Sequence, residues 1–289
     1  MEIELTGITQ EAAAQAVARA LGASVDNNRI HDAQGREWRC KYDGSIESER
    51  YVRTVNKRRV YEPVDDRSYQ VEMVTPPLGY ADIGLLQNVV RELRHAKGKV
   101  NGSCGLHVHV DGAAHTGISL RNLLSIMFSK EDILFKALRV RPGGVTQYSQ
   151  KVKEHVVGEA RAVRNLTKEQ FMSIWRGVDR YHALNLQSML THGTVEFRLF
   201  NATLHAGEVR TYVTLALAMN AQALRQSSTR AHRTASTNER FTFRTWLLHL
   251  GMIGDEFEAV RKHLLKHLSG DAAWRNDRSQ YPASSREDR

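Results

Sequence analysis

The stretch Gly105-Leu106-His107-Val108-His109-Val110-Asp111 alternates apolar and ionisable side chains from Leu106 onward. Successive side chains of a strand point to opposite faces. Leu106, Val108 and Val110 therefore share one face, and His107, His109 and Asp111 share the other. A solvated surface strand ordinarily carries Lys, Thr or Glu at such positions. Two imidazoles and a carboxylate in one row point instead to metal or phosphate chemistry.

Three further segments repeat the pattern. In Met1–Leu5, Glu2 and Glu4 alternate with Ile3 and Leu5; in Tyr69–Val74, Gln70 and Glu72 alternate with Val71 and Met73. In Thr194–Phe200, Glu196 and Arg198 oppose Val195, Phe197 and Leu199. Each segment alone fits a solvated sheet face. Placed side by side, their carboxylates would repel one another if dry, and bound cations remove that cost. Magnesium and manganese take oxygen ligands, and manganese also tolerates imidazole. Arg198 among them suits a ligand carrying negative charge, such as a transferring phosphoryl group.

Around these strands the chain reads as a mixture of helices and strands without a regular βαβ repeat. Thr9 caps an expected helix over Gln10–Leu21 that stops at Gly22. Strands are expected at Ser24–Ile30 and Glu37–Tyr42, followed by a turn at Asp43-Gly44. Residues 45–68 are charged and aperiodic, as in a long loop. Helices are expected at Gly79–Lys97, Ile118–Leu138, Thr167–Trp175, Glu208–Leu224 and Asp255–Leu268. A strand at Ala183–Leu186 would pair with Thr194–Phe200 across a turn at His192-Gly193. Arg139–Gln150, which contains Pro142-Gly143-Gly144, reads as a mobile basic loop. The pattern favours an α+β fold, an antiparallel sheet with helices on one side. A single domain over residues 1–268 and a frayed polar tail over 269–289 are expected.

Composition narrows the setting. Of the 289 residues, 41% are hydrophobic and 25% charged, as in ordinary globular chains. No run approaches the roughly 20 apolar residues of a membrane span, and Met1–Leu5 does not resemble a signal peptide. A cytoplasmic protein, without a membrane partner and with Cys40 and Cys104 reduced, is expected. The net charge of +9 invites a nucleic-acid partner. It gathers at Arg50, Arg53 and Lys57-Arg58-Arg59, and at Arg225, Arg230, Arg233, Arg240 and Arg244. No zinc-finger spacing or RNP-like strand accompanies these clusters, and anionic nucleotides or acidic substrates also favour a positive potential.

Five motifs in order resemble a known family. They are Glu2-Ile3-Glu4, Asp43-Gly44-Ser45, Glu72-Met73-Val74-Thr75-Pro76-Pro77, Gly105-Leu106-His107-Val108-His109 and Glu196-Phe197-Arg198-Leu199-Phe200-Asn201-Ala202-Thr203. The run is similar to the amidoligases, within the glutamine-synthetase-like carboxylate–amine ligases. The chain beyond Leu224 carries no such motif.

The resemblance implies a curved antiparallel half-barrel with helices on its outer face. It implies an ATP-dependent ligase with two or three Mg2+ or Mn2+ ions, forming an amide through an acyl phosphate. Glu4 and Glu72 would ligate one cation, and Glu2, His107 and Glu196 another. His109 would contact phosphate or nucleotide, and Arg198 the transferred phosphoryl group. Asp43 would line the amine site or hold a metal, or serve only the turn. Arg180 is the best further candidate for phosphate or the substrate carboxylate, and Arg39 and Lys41 would extend the polar face toward an anion. Glu2 follows Met1 directly, where fraying would weaken it as a ligand; Asp111 receives no role. The partners would be a small-molecule or peptide carboxylate and an amine, or a modified macromolecule. A guanidino kinase on the same core, or a nucleic-acid-associated accessory protein using the basic clusters, are the alternatives.

Overall fold

The computed structural model describes residues 1–141 and 148–275. The Pro142-Gly143-Gly144 segment and residues 276–289 of the expected tail lie outside the described residues. The described residues contain ten strands: β1 (Glu2–Leu5), β2 (Val25–Asp26), β3 (Arg29–His31), β4 (Glu37–Tyr42), β5 (Glu49–Val55), β6 (Arg58–Pro63), β7 (Val71–Val74), β8 (Gly105–Asp111), β9 (Leu184–Asn185) and β10 (Thr194–Asn201). Eight form one open sheet in the order β2-β3-β4-β7-β1-β8-β10-β9, every pair antiparallel; β5 and β6 form a separate hairpin.

The helices are α1 (Gln10–Leu21), α2 (Ile83–His95), α3 (Gly117–Leu138), α4 (Glu154–Ala162), α5 (Lys168–Trp175), α6 (Ser188–Thr191), α7 (Ala206–Arg225), α8 (Glu239–His249) and α9 (Glu258–Leu265). Thr9 caps α1 by accepting from the Ala12 N–H, and Gly22 ends it at φ 64°. Its buried face is mostly alanine, Ala13, Ala14, Ala16 and Ala18, so the helix axis lies close to β3, β4 and β7. α3 meets β10 and α7 meets β8, while α2 fills the space between α1 and α7. The apolar sides of the central strands (Ile3, Leu5, Val71, Met73, Leu106, Val108, Val195 and Phe197) are buried in this layer. One continuous core runs from Ile3 to Leu268. No helix among the described residues is long and apolar enough to cross a membrane.

The structure corrects the expected elements in several places. The single strand expected at Ser24–Ile30 is the β2–β3 hairpin, turned by Asn27 and Asn28 at φ 47° and 61°. The loop expected at 45–68 contains the β5–β6 hairpin, turned by Asn56 and Lys57 at φ 48° and 62°. Two left-handed residues in succession match the twist of a tight hairpin, and asparagine tolerates that backbone. Neither turn carries the glycine that usually signals it. Helices α4 and α8 were not expected, and α6 precedes the turn at Gly193 (φ 68°).

Outside the sheet, α3 buries Glu131 completely. Its carboxylate accepts from the Val152 N–H and from Arg233 Nη1, both at 2.9 Å. Burial outweighs these donors and pushes the carboxyl up to about 7. A raised folded pKa stabilises the fold fully below the ordinary carboxylate range, and that contribution is lost as pH rises through about 7. Glu131→Gln is therefore expected to flatten the fall in stability between mildly acidic and mildly basic pH, by about 1–3 kcal/mol. Denaturant melts across that range check it; equal slopes for both proteins would refute it.

Candidate functional site

Register brings the ionisable faces together. Glu2 lies opposite Val74 on β7 and His107 on β8, and Glu4 lies opposite Glu72. Across β8, His109 faces Glu196, which in turn faces Asn185 on β9. On the other flank Lys41 faces Glu72 and Arg39 faces Val74. β1 is thus a central strand paired on both sides, with Glu2 itself in register with Val74 and His107.

Four side chains at the centre are nearly dry: Glu4 is 6% exposed, Glu72 5%, His107 6% and Glu196 4%. His107 Nδ1 lies 3.1 Å from Glu2 Oε2 and 3.8 Å from Glu196 Oε1, while its Nε2 lies 3.8 Å from Glu4 Oε1. Glu2, His107 and Glu196 offer ligand atoms within 4.8 Å of one another, and so do Glu4, Glu72 and His107. These are the two sets expected from the motifs, with His107 belonging to both.

Two backbone details build this arrangement. Gly105 N–H donates to Glu4 Oε2 at 2.6 Å. A Cβ at Gly105 would stand 3.0 Å from His107 Nε2, so a side chain there would make the imidazole shift by a few tenths of an ångström, while Glu4 Oε2 at 3.5 Å would be in ordinary contact. In β10 the register shifts between Phe197 and Phe200, placing Arg198 and Leu199 together opposite His107. Such a bulge re-aims the strand. Arg198 stays on the polar face beside Glu196, whereas Phe200 turns to the core and stacks on Tyr212 with ring centroids 4.6 Å apart.

The polar partners set the charge states. Burial alone would raise the Glu2 carboxyl, yet the hydrogen bond from His107 and the nearby His109 ring, whose Nε2 lies 3.7 Å away, hold it far below the usual range. Burial raises Glu4, against the nearby His107. Glu72 is pushed up to about 7 by burial and by the charge of Glu2, although Lys41 Nζ lies 2.6 Å from its Oε2. Glu196 accepts from Arg198 Nη1 and from Asn185 Nδ2, both at 2.6 Å. His109 Nδ1 is bonded to Thr194 Oγ1 at 2.9 Å, and Thr194 Oγ1 to Ser188 Oγ at 2.7 Å.

Two buried atoms in this cluster, His109 Nε2 and Arg198 Nε, have no hydrogen-bond partner among the described residues, His109 Nε2 lying 3.7 Å from Glu2 and 3.9 Å from Glu196. A buried polar atom left unpaired costs about 1–3 kcal/mol. Both orphans face a cluster rich in anionic oxygen, which fits a bound group supplying acceptors and positive charge. Carboxylates with one imidazole and no thiolate suit magnesium or manganese rather than a soft-ligand metal.

The remaining candidates are placed less centrally. Asp43 binds the Ser45 N–H and hydroxyl through Oδ1, so it does serve its turn; its charge also acts on Glu4 and Glu72. Arg39 is paired with Glu37 on its own strand. Arg180 is exposed, its guanidinium 5.2 Å above the Tyr181 ring, and no hydrogen bond or ion pair among the described residues joins it to the cluster. Asp111 accepts from the Ala113 N–H at the strand end. Cys104 is buried, and burial pushes its thiol up to about 11, which fits a packed residue. Asn185 and Thr194 were missed as supports of the site. Alternation of Leu184, Asn185 and Leu186 carried the signal for the first.

An open antiparallel sheet that buries two carboxylate–imidazole groups beside an arginine defines the class of protein. A family model described as "Putative amidoligase enzyme" matches residues 1–220. The chain belongs to that family, an enzyme family of ligase type. No curated protein and no solved structure gives a significant match.

Proposed function

We propose that the chain is an ATP-dependent carboxylate–amine ligase that forms an amide through an acyl phosphate. The observation that carries this reading is the pair of buried carboxylate–imidazole groups converging on His107, with the unpartnered Arg198 Nε and His109 Nε2 beside them. Glu2, His107 and Glu196 would hold one Mg2+ or Mn2+ and Glu4 and Glu72 a second. When bound, such ions neutralise phosphate charge and orient the reacting oxygens.

The chain's own groups account for the rest. A carboxylate is a poor electrophile, so its oxygen attacks the γ-phosphorus of ATP and ADP leaves. Arg198 is directed at the charge on the transferred phosphoryl group, and His109 Nε2 at a phosphate oxygen. The amine nitrogen then attacks the acyl carbon and inorganic phosphate leaves, with Asp43 as the candidate base for the proton the amine gives up. Burial of Glu4, Glu72 and Glu196 keeps bulk water from competing with the amine.

The test is ADP release over a panel of carboxylate and amine pairs with Mg2+ or Mn2+, with Glu196→Ala as the blank. Release that needs both substrates is expected. Release with a stable phosphorylated product and no need for amine would replace this reading by a kinase. No release above the blank from any pair would remove its support.

A further inference from the structure

The β5–β6 hairpin and the C-terminal end of α2 are separate basic segments in the sequence, and the fold joins them. Arg59 Nη1 donates to the Arg94 carbonyl at 2.6 Å, and the Tyr61 hydroxyl to the Lys97 carbonyl at 2.9 Å. Arg59 and Tyr61 thus occupy the hairpin face turned to α2. At its base the hairpin is fixed to the sheet through Gly7 N–H to the Glu49 carbonyl and Tyr51 N–H to the Gly7 carbonyl.

The hairpin face turned away from α2 is positive without internal compensation. By register Arg53 (opposite Val60) and Arg58 (opposite Val55) point away from the side of Arg59 and Tyr61, with Lys57 at the turn; all three are exposed, and none of them forms an ion pair among the described residues. The acidic groups of the two segments are already engaged: Glu49 with Lys99, Glu92 with Arg19 and His95, and Glu62 with Arg50 at 3.9 Å. Three unpaired cations on one face of the hairpin produce a field that attracts a polyanion.

We propose that this face binds the phosphodiester backbone of double-helical nucleic acid. Three features favour that partner. Arginine dominates the free cations, and its planar fork matches phosphate oxygens in pairs. A two-stranded β-ribbon exposed on one side has the dimensions of a major groove. The exposed apolar side chains of the hairpin are only Val52 and Val55, too few for a membrane-inserting face. An acidic protein segment would meet the same charge but would gain nothing from the ribbon shape. The proposal does not depend on the ligase reading, because none of these residues belongs to the carboxylate cluster.

The experiment measures anisotropy of a labelled DNA duplex of about two helical turns against the whole chain, over a salt series. Three phosphate contacts predict a log–log salt slope of about −2.7. The triple variant Arg53→Glu, Lys57→Glu, Arg58→Glu removes all three cations of the face and should bind at least about 100-fold more weakly with a slope near zero. Its circular dichroism melt and Mn2+ binding should match the parent, because the three side chains are exposed and make no ion pairs. Absence of duplex binding at low salt would overturn the proposal, as would unchanged affinity in the variant. Equal or tighter binding of polyglutamate or of phosphatidylserine vesicles, lost in the same variant, would reassign the face to those partners.

Discussion

Replacing His107 by alanine is expected to abolish ligase turnover and to remove one of two Mn2+ equivalents, while leaving the sheet folded. A neutral imidazole has one lone pair, so His107 can ligate only one cation at a time. The distances choose the side: Nδ1 is 3.1 Å from Glu2, whereas Nε2 is 3.8 Å from Glu4. Nδ1 would then give up its hydrogen bond to Glu2 and turn its lone pair to a cation held by Glu2 and Glu196, with Nε2 left on the side of Glu4. Losing a ligand together with its ring orientation should weaken that ion by about 10–100-fold or more. The ion at Glu4 and Glu72 should be weakened only slightly. Glu72→Ala should give the complementary result, removing the second ion and sparing the first. Calorimetric titration counts the ions. If His107→Ala kept both at parent affinity, the assignment of the cluster as a metal centre would fail.

Arg198→Met is expected to lower kcat by about 10²–10³ with metal binding intact or tighter. Arg198 Nη1 lies 2.6 Å from Glu196, so the guanidinium competes for the same carboxylate oxygen that a cation would use. Removing it leaves Glu196 freer to ligate. The cost falls on the step in which phosphoryl charge develops, since the buried Nε has no protein partner and a phosphate oxygen would supply one. Arg198→Lys should recover part of the rate, restoring charge without the planar fork. Weakened Mn2+ binding in Arg198→Met, alongside an unchanged kcat, would show that the arginine only builds the cluster.

Much of the site was legible because a strand has period two. Glu2, Glu4, Glu72, His107, His109, Glu196 and Arg198 were placed on the polar faces of their strands by alternation alone, and the sheet keeps them there. The cap at Thr9 and the stop at Gly22 were equally local, since each depends on one side chain or one backbone conformation. The two hairpins were missed because their turns use Asn27-Asn28 and Asn56-Lys57, whose left-handed backbone is tolerated rather than demanded by residue type. Arg180, close to β9 in sequence, is turned outward onto Tyr181.

Local sequence by itself determined which side chains share a face, because that parity is covalent: every second residue of an extended chain points the same way. Only the tertiary structure decided which carboxylate meets which imidazole. Glu2 and His107 are 105 positions apart, and their 3.1 Å approach depends on the register of β1 against β8. The bulge opposite His107 and the missing Cβ at Gly105 then set the final spacing. Register is a property of paired strands, fixed by the packing of the whole sheet against its helices, and no single strand encodes it.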